Sequence, residues 1–142
     1  IIKEKPDIII FEGWCVGASA SKKSDIKFPI NLLEKKEDKK FIWRKIINQE
    51  LKKNYEKIFN MINTLIFLKI PSFKYVYKWR LLQEKKLKTL SKGNKIMNKD
   101  QIKRFIMFYE RITKSMLKET SKFADITIKL DTKHRLTSIK IK

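Results

Sequence analysis

Three short apolar segments alternate with helical patterns along this chain, and that alternation restricts the folds that it can adopt. The segments run from Asp7 to Glu12, from Thr64 to Ile70 and from Asp125 to Leu130. The first is a continuous apolar run rich in β-branched residues, which is typical of a strand buried on both faces. Because strands separated by helices form mainly parallel sheets with right-handed crossovers, this order predicts an α/β fold.

The longest helical pattern lies between the first two segments. It runs from Phe41 to Ile62 and places apolar side chains on one stripe, at Trp43, Ile47, Leu51 and Tyr55. Lysine and glutamate fill the opposite side. The pattern predicts an amphipathic helix that packs through this stripe.

Capping residues indicate where two further helices begin. Ser72 has the side chain of an N-cap. Asn98 is followed three residues later by Gln101, as in a capping box. The small polar residues at 18–28 predict a mobile surface loop, residues 29–36 a short helix, and residues 91–94 a loop with a glycine stop signal.

The last part of the chain predicts a β-hairpin. Residues 131–135 indicate a turn, and the alternating residues 136–141 indicate a strand that adds an antiparallel edge. A sheet with three parallel strands is thin, since parallel sheets need helices on both faces. Because the first residue is Ile1 rather than Met, we expect residues 1–142 to form a single partial domain whose N-terminal strands are missing.

The net charge of +20 admits a nucleic-acid partner, because a strongly basic domain attracts polyanions. Of the 35 basic residues, however, only five are arginine. Nucleic-acid readers usually favour arginine, whose planar guanidinium contacts phosphate and guanine through two bonds. The lysines are spread over every predicted element, so the charge indicates a lysine-rich composition more than a nucleic-acid interface.

The single cysteine and single histidine exclude an internal disulfide framework and a cysteine-based zinc site. No apolar run approaches the roughly 20 residues that cross a bilayer. No basic region precedes an apolar stretch at the start, as it would in a secretory signal. We therefore expect a cytoplasmic protein with no membrane partner.

Glu12 is the strongest candidate for chemistry. It ends the first predicted strand, and the carboxyl ends of parallel strands border the crevice where open α/β sheets bind ligands. In P-loop enzymes a comparable acid helps to hold Mg²⁺, and Gly13 would allow a close approach to the backbone. The alternative is an ordinary glutamate at a solvated strand end.

Basic residues on two helices are candidates for binding phosphate. Lys78 and Arg80 follow the second strand, where cationic side chains can close over phosphates as a lid. The pattern alone favours the alternative, a solvated helix face on which Arg80 pairs with Glu84. Arg111, on the third helix, can reach a phosphate or pair with a neighbouring acid.

The chain has no phosphate-binding loop of its own, because its glycines are Gly13, Gly17 and Gly93 and no Gly-x-x-x-x-Gly-Lys-Ser/Thr motif is present. The segment from Phe11 to Gly17 nevertheless resembles the Phe-Glu-Gly-Trp-x-x-Gly segment of the plant- and cyanobacterial-type D-glycerate 3-kinases. Those are P-loop kinases related to phosphoribulokinase, uridine kinase and pantothenate kinase. The similarity continues in order along nearly all of the chain, at Asn31, Leu32, Leu33, Glu34, Asp38, Trp43, Arg44, Asn48, Pro71, Ser72, Phe73, Trp79, Arg80, Gln83, Glu84, Tyr109, Glu110, Arg111, Ile112, Thr113, Ala124 and Asp125.

The resemblance implies the C-terminal portion of a P-loop NTPase fold, a parallel sheet with flanking helices and a terminal β-hairpin. It also implies transfer of the γ-phosphoryl group of ATP to a hydroxyl of D-glycerate, giving 3-phosphoglycerate, with Mg²⁺. By the same resemblance, Glu12 would be the catalytic acid at the metal. Gly13, Trp14 and Gly17 would border the acceptor pocket.

The resemblance further implies that Arg80, together with Lys78 and Arg111, neutralises the charge of the transferred phosphate in the lid region. The turn at residues 131–135 would lie near the adenine. In this family the P-loop lies upstream, so the segment alone is expected to be inactive. Two alternatives are a basic nucleic-acid-binding module and a pseudokinase-like subunit that another chain completes.

Overall fold

The computed structural model describes residues 5–90 and 96–142, which form a small mixed sheet with flanking helices. The helices are α1 (Lys23–Lys27), α2 (Leu32–Glu37), α3 (Ile42–Glu50), α4 (Glu56–Phe59), α5 (Lys74–Leu90) and α6 (Lys99–Glu119). The strands are β1 (Ile66–Lys69), β2 (Ile126–Leu130) and β3 (Leu136–Ile141). A π-helical turn, Leu51–Tyr55, joins α3 to α4, and a 3-10 turn, Thr120–Lys122, follows α6. This arrangement confirms the α/β class.

The sheet has the order β1-β2-β3, with β1 parallel to β2 and β3 antiparallel to β2. Two of the three predicted strands and the terminal hairpin are thus confirmed. Helix α6 covers one face, where Phe67 and Thr127 are buried and Phe67 shares a core cluster with Met116. The other face carries aligned aliphatic residues of all three strands, of which Leu68 and Ile139 are exposed and Ile128 between them is half-buried.

The predicted first strand, Asp7 to Glu12, is wrong for this structure. Residues 8–12 join no strand within the described part of the chain. Ile8, Ile9 and Ile10 are 80%, 79% and 86% exposed, so the run is not buried on either face. A strand needs a partner for its backbone groups. The described residues bring no second strand alongside this run.

The predicted helix from Phe41 to Ile62 is confirmed in extent, since residues 42–59 are helical throughout. Its buried side differs from the predicted stripe. Trp43, Ile47 and Tyr55 are at least one-third exposed, whereas Arg44 and Leu51 are buried. The helix is therefore rotated so that Arg44 and Leu51 face the neighbouring elements, while the other three residues of the stripe lie toward its exposed side.

Asp38 accounts for that rotation. Its carboxylate accepts hydrogen bonds from the backbone N–H groups of Ile42 (2.6 Å), Trp43 (3.0 Å) and Arg44 (3.2 Å), which caps α3. The same carboxylate accepts a 2.8 Å bond from Arg44 Nε, and both side chains are nearly inaccessible. Burial raises the pKa of Asp38, but the bonds from Arg44 and the three amides outweigh it and hold the pKa below its ordinary value.

The predicted mobile loop at residues 18–28 is also wrong. It contains α1, and Ala18 and Ile26 within it are buried. Asn48 fixes this segment by two reciprocal bonds, donating to the carbonyl of Ser21 at 3.0 Å and accepting from its N–H at 2.8 Å. The small polar residues predicted a loop in solvent, but the backbone of Ser21 is bonded to Asn48 and two residues of the segment are buried.

Helices α5 and α6 pack together through Val76, Ile102 and Ile106. The predicted capping box of α6 is confirmed, with both of the Asn98 and Gln101 bonds present. The Ser72 hydroxyl, predicted to cap α5, is buried without a hydrogen-bond partner among the described residues. The loop predicted at residues 91–94 lies outside the described residues.

Candidate active site

Two cavities meet at Trp14, near the carboxyl end of β1. The larger, of about 650 Å³, is lined by Glu12, Gly13 and Trp14 together with residues of β1 and α6. The smaller, of about 460 Å³, is lined by Trp14, Arg80 and other residues of α5, and by His134 of the β2–β3 turn. Ile70, which directly follows β1, lines both. The smaller cavity therefore lies at the carboxyl end of β1 and β2, where open α/β sheets bind ligands, whereas the larger one extends along β1.

Trp14 is the wall that the two cavities share. Its indole stacks on the Tyr109 ring, with centroids 4.8 Å apart and an interplanar angle of 12°. Its Nε1–H donates to the hydroxyl of Thr113 at 2.9 Å. Both partners lie on α6, so this helix determines the orientation of the indole.

The loop after Glu12 is shaped by two glycines. Gly17 has φ 76°, a left-handed conformation, and a Cβ there would lie 2.9 Å from Leu65. Gly13 is less demanding, since its added Cβ would meet the flexible Val16 side chain at 3.1 Å. The turn from Gly13 to Gly17 therefore depends mainly on Gly17, which is buried beside β1.

Arg80 is held in place inside the smaller cavity. It forms a 2.7 Å ion pair with the buried Glu84, confirming the expected pairing one turn apart, and donates to Gln83 at 2.8 Å. Its guanidinium lies 5.0 Å from the centroid of the Phe105 ring. Its Nε is buried with no hydrogen-bond partner among the described residues. These contacts fix the guanidinium at the wall of the smaller cavity.

The other two candidate phosphate-binding residues lie elsewhere. Lys78 is exposed and does not line either cavity; its Nζ lies 5.5 Å from the Tyr75 ring. Arg111 forms a 2.6 Å ion pair with Glu34 and donates to the carbonyl oxygens of Asp25 and Phe28 at 2.7 Å each. The structure thus brings Glu12, Trp14 and Arg80 around joined cavities and keeps Lys78 and Arg111 apart from them.

Trp79 and His134 form an aromatic pair that the sequence reasoning missed. Their ring centroids are 3.7 Å apart, and Trp79 Nε1–H donates to the carbonyl of Thr132 at 3.3 Å. The turn that carries His134 is held by Asp131, whose pKa falls to about 2 because the Arg135 backbone N–H and side chain both bond to it. The two rings are 55 residues apart in sequence, so no local pattern could pair them.

Residues for cofactor and nucleophile chemistry are few. In residues 5–90 and 96–142, no group of three or more His, Cys, Asp or Glu side chains comes together. Glu12 is exposed on the larger cavity, and a single carboxylate suits Mg²⁺ when nucleotide phosphates supply further ligands. Burial raises the pKa of the Cys15 thiol, which keeps it protonated and unreactive at neutral pH.

Comparison with known proteins finds a kinase among the proteins that this chain resembles in sequence. No family model matches the chain. The uncharacterized kinase mug58 of Schizosaccharomyces pombe is 29% identical over 102 residues, which is 71% of this chain and 35% of that protein. Among the described residues, no helix is both long and apolar enough to cross a membrane.

Two solved structures share the fold. The D-glycerate 3-kinase from Cryptococcus neoformans var. grubii has a TM-score of 0.73 and 22% identity, covering 99% of this chain and 52% of its own. The YGR205w protein has a TM-score of 0.58 and 21% identity, covering 92% and 46%. The similarity to D-glycerate 3-kinases is thus confirmed in the fold. The chain spans about half the length of these proteins and about one-third of mug58.

Proposed function

We propose that this chain is the C-terminal part of a P-loop kinase that transfers the γ-phosphoryl group of ATP to a hydroxyl of D-glycerate, giving 3-phosphoglycerate. One observation carries the proposal: Glu12, Trp14 and Arg80 surround joined cavities in a fold that matches a D-glycerate 3-kinase over 99% of the chain. A protein that acts on these small molecules needs no membrane, and we infer that it works in the cytoplasm.

Each residue has a role that follows from its position. Mg²⁺, when bound, neutralises charge on the nucleotide phosphates, and Glu12 is the carboxylate that would hold it. Arg80 stabilises negative charge on the transferred group, because its guanidinium is already fixed by Glu84 and Phe105. Trp14 and the turn to Gly17 form the wall against which the acceptor lies.

Lys78 and Arg111 have different roles in this proposal. The exposed Lys78 adds long-range attraction for anionic substrates. Arg111 ties α6 to α2 through Glu34, to α1 through Asp25 and to the residue after α1 through Phe28. The paired rings of Trp79 and His134, which border the same cavity as Arg80, provide an aromatic surface for the base of the nucleotide.

The nucleotide-binding loop comes from the part of the kinase that has no counterpart in these residues. We infer that a strand of that part fits between residues 8–12 and β1. The larger cavity is lined on one side by Ile8 and Ile10 and on the other by Ile66 and Leu68, and β1 is the end strand of the sheet. About half of the D-glycerate 3-kinase chain lies outside the match, which is ample for this strand and its helices.

This inference predicts that Ile10 contributes to the stability of the protein only when the additional strand occupies the larger cavity. Ile10 is 86% exposed in these residues. In the full-length protein, Ile10→Asp should lower the free energy of unfolding by about 2–4 kcal/mol, because a carboxylate would be buried without a partner. Urea unfolding measures the change. Leu32→Asp, at a 62% exposed position of α2, is the control and should change it by less than about 1 kcal/mol. Equal effects of the two substitutions would contradict the inserted strand.

Arg80 is predicted to act on the transferred phosphate. Arg80→Gln in the full-length protein should lower kcat for ADP formation by about a hundredfold, with Arg80→Lys recovering part of the rate. Lys78→Gln is the matched control and should change kcat by less than about threefold, since one exposed charge contributes little. A similar loss from both Gln variants would assign the effect to general charge rather than to Arg80.

The function itself is tested by the acceptor dependence of ADP formation. The full-length protein is incubated with MgATP and either D-glycerate, uridine, pantothenate or ribulose 5-phosphate, and ADP is followed with a coupled enzyme assay. We expect ADP to form with D-glycerate and the product to be 3-phosphoglycerate by mass and NMR. If ADP formed with another acceptor and not with D-glycerate, the protein would still be a kinase, but the proposed substrate would be refuted.

A further inference from the structure

The contacts of Thr113 assign it a role that its position on α6 alone would not suggest. Thr113 is 5% exposed, and its hydroxyl donates to the Tyr109 carbonyl at 2.8 Å. That bond uses the hydroxyl proton, so the oxygen offers a lone pair to the Trp14 Nε1–H at 2.9 Å. The hydroxyl therefore acts as a fixed acceptor and not as a freely rotating group.

We propose that Thr113 is a positioning residue that sets the angle of the Trp14 indole, and through it the shape of the acceptor pocket. The kinetic consequence rests on the proposed kinase function, whereas the structural part does not. Stacking on Tyr109 holds the plane of the indole but leaves it free to slide and turn within that plane. The bond to Thr113 fixes the direction of the indole N–H.

The position of the indole matters because Trp14 lines the smaller cavity together with Arg80. A turn of the ring would change the width of that cavity beside Arg80. A small hydroxy acid makes few contacts with the protein, so each contact matters for its orientation. The position of the Trp14 indole therefore contributes strongly to the placement of the acceptor. Thr113 therefore affects mainly the binding of the acceptor. It has little effect on the charge stabilisation that Glu12 and Arg80 supply.

The structural part is tested by NMR of the full-length protein labelled with ¹⁵N-tryptophan. The Trp14 indole N–H, assigned from the spectrum of the Trp14→Phe variant, should exchange slowly with solvent in the wild type. Thr113→Val has the same shape without the acceptor and should speed this exchange at least tenfold. Thr113→Ser keeps the hydroxyl and should retain the protection.

The kinetic part is tested with the same variants. Thr113→Val should raise the KM for D-glycerate about threefold to tenfold, the worth of one hydrogen bond, with kcat and the KM for ATP changed less than twofold. Thr113→Ser should restore the wild-type KM. Thr127→Val, which removes another buried threonine hydroxyl on β2, is the control and should alter neither KM nor the indole exchange.

A double-mutant cycle separates positioning from general destabilisation. In a Trp14→Phe background, which lacks the indole N–H, Thr113→Val should have no further effect on the KM. Additive effects of the two substitutions, or unchanged indole exchange in Thr113→Val, would overturn the proposal. If the Trp14 indole N–H exchanged faster in Thr113→Val but the full-length protein did not phosphorylate D-glycerate, the positioning role of Thr113 would stand and the proposed function would be refuted.

Discussion

Glu12→Gln in the full-length protein should lower D-glycerate-dependent ADP formation by about a hundredfold or more. The substitution keeps the shape of the side chain and removes the charge that would hold Mg²⁺ at the transferred phosphate, where electrostatic stabilisation supplies most of the catalysis. Glu12 is exposed and takes part in no ion pair within residues 5–90 and 96–142. The coupled assay measures the loss over a range of Mg²⁺ concentrations.

Two controls show whether the loss of activity in Glu12→Gln is specific: the stability of that variant and the activity of a matched variant. Because Glu12 is exposed, Glu12→Gln should leave the free energy of unfolding within about 0.5 kcal/mol of the wild type. Glu56→Gln, on the exposed surface of α4, should leave the rate unchanged. Activity near the wild-type level in Glu12→Gln would remove Glu12 from the metal site and would leave Arg80 as the remaining candidate for electrostatic catalysis.

Asp38→Ala should lower the free energy of unfolding by about 3–5 kcal/mol, measured by urea unfolding at pH 7. The substitution leaves the Arg44 guanidinium buried without a counter-charge and removes the acceptor of three amides at the start of α3. Asp100→Ala breaks an exposed ion pair with Lys103 and is the control, with an expected loss below about 1 kcal/mol. Similar losses in the two variants would show that the Asp38–Arg44 pair is not important for the fold.

The pH dependence checks the same pair. The pKa of Asp38 is lowered in the folded protein, so its contribution to stability is complete above the unfolded pKa of about 4. That contribution is lost as the pH falls through the folded pKa. The difference in unfolding free energy between the wild type and Asp38→Ala should therefore shrink when the pH is lowered from 5 toward 2. A constant difference over this range would mean that the lost energy comes from packing and not from the carboxylate.

The fold could be predicted where local pattern and tertiary contacts agree. The capping box at Asn98 and Gln101 and the strands β2 and β3 were predicted from neighbours in sequence, and all are found in the structure. The buried side of α3 could not be predicted, because the choice between the apolar stripe and Arg44 depends on Asp38, six residues earlier. Hydrophobic periodicity does not register a buried ion pair.

The candidate site, like the fold, has residues that the sequence predicts and residues that only the structure brings together. Glu12 and Gly13 could be identified from their place at the end of an apolar run, and Trp14 from the resemblance of residues 11–17 to D-glycerate 3-kinases. Arg80 was identified with two possible roles, and the structure contains the pair with Glu84 while also placing Arg80 on a cavity. The pairing of Trp79 with His134 joins residues far apart in sequence, so sequence reasoning had no signal for it.

The sequence by itself determined the alternation of helices with β1, β2 and β3, the capping box of α6 and the resemblance to D-glycerate 3-kinases, because each depends on residues read in order. The tertiary structure alone decided which helix faces are buried, which cations line the cavities and which are neutralised. It also decided that residues 8–12 stay unpaired, since a strand forms only when another backbone lies beside it. These outcomes depend on side chains that meet across long sequence separations, and their energies do not appear in any local pattern.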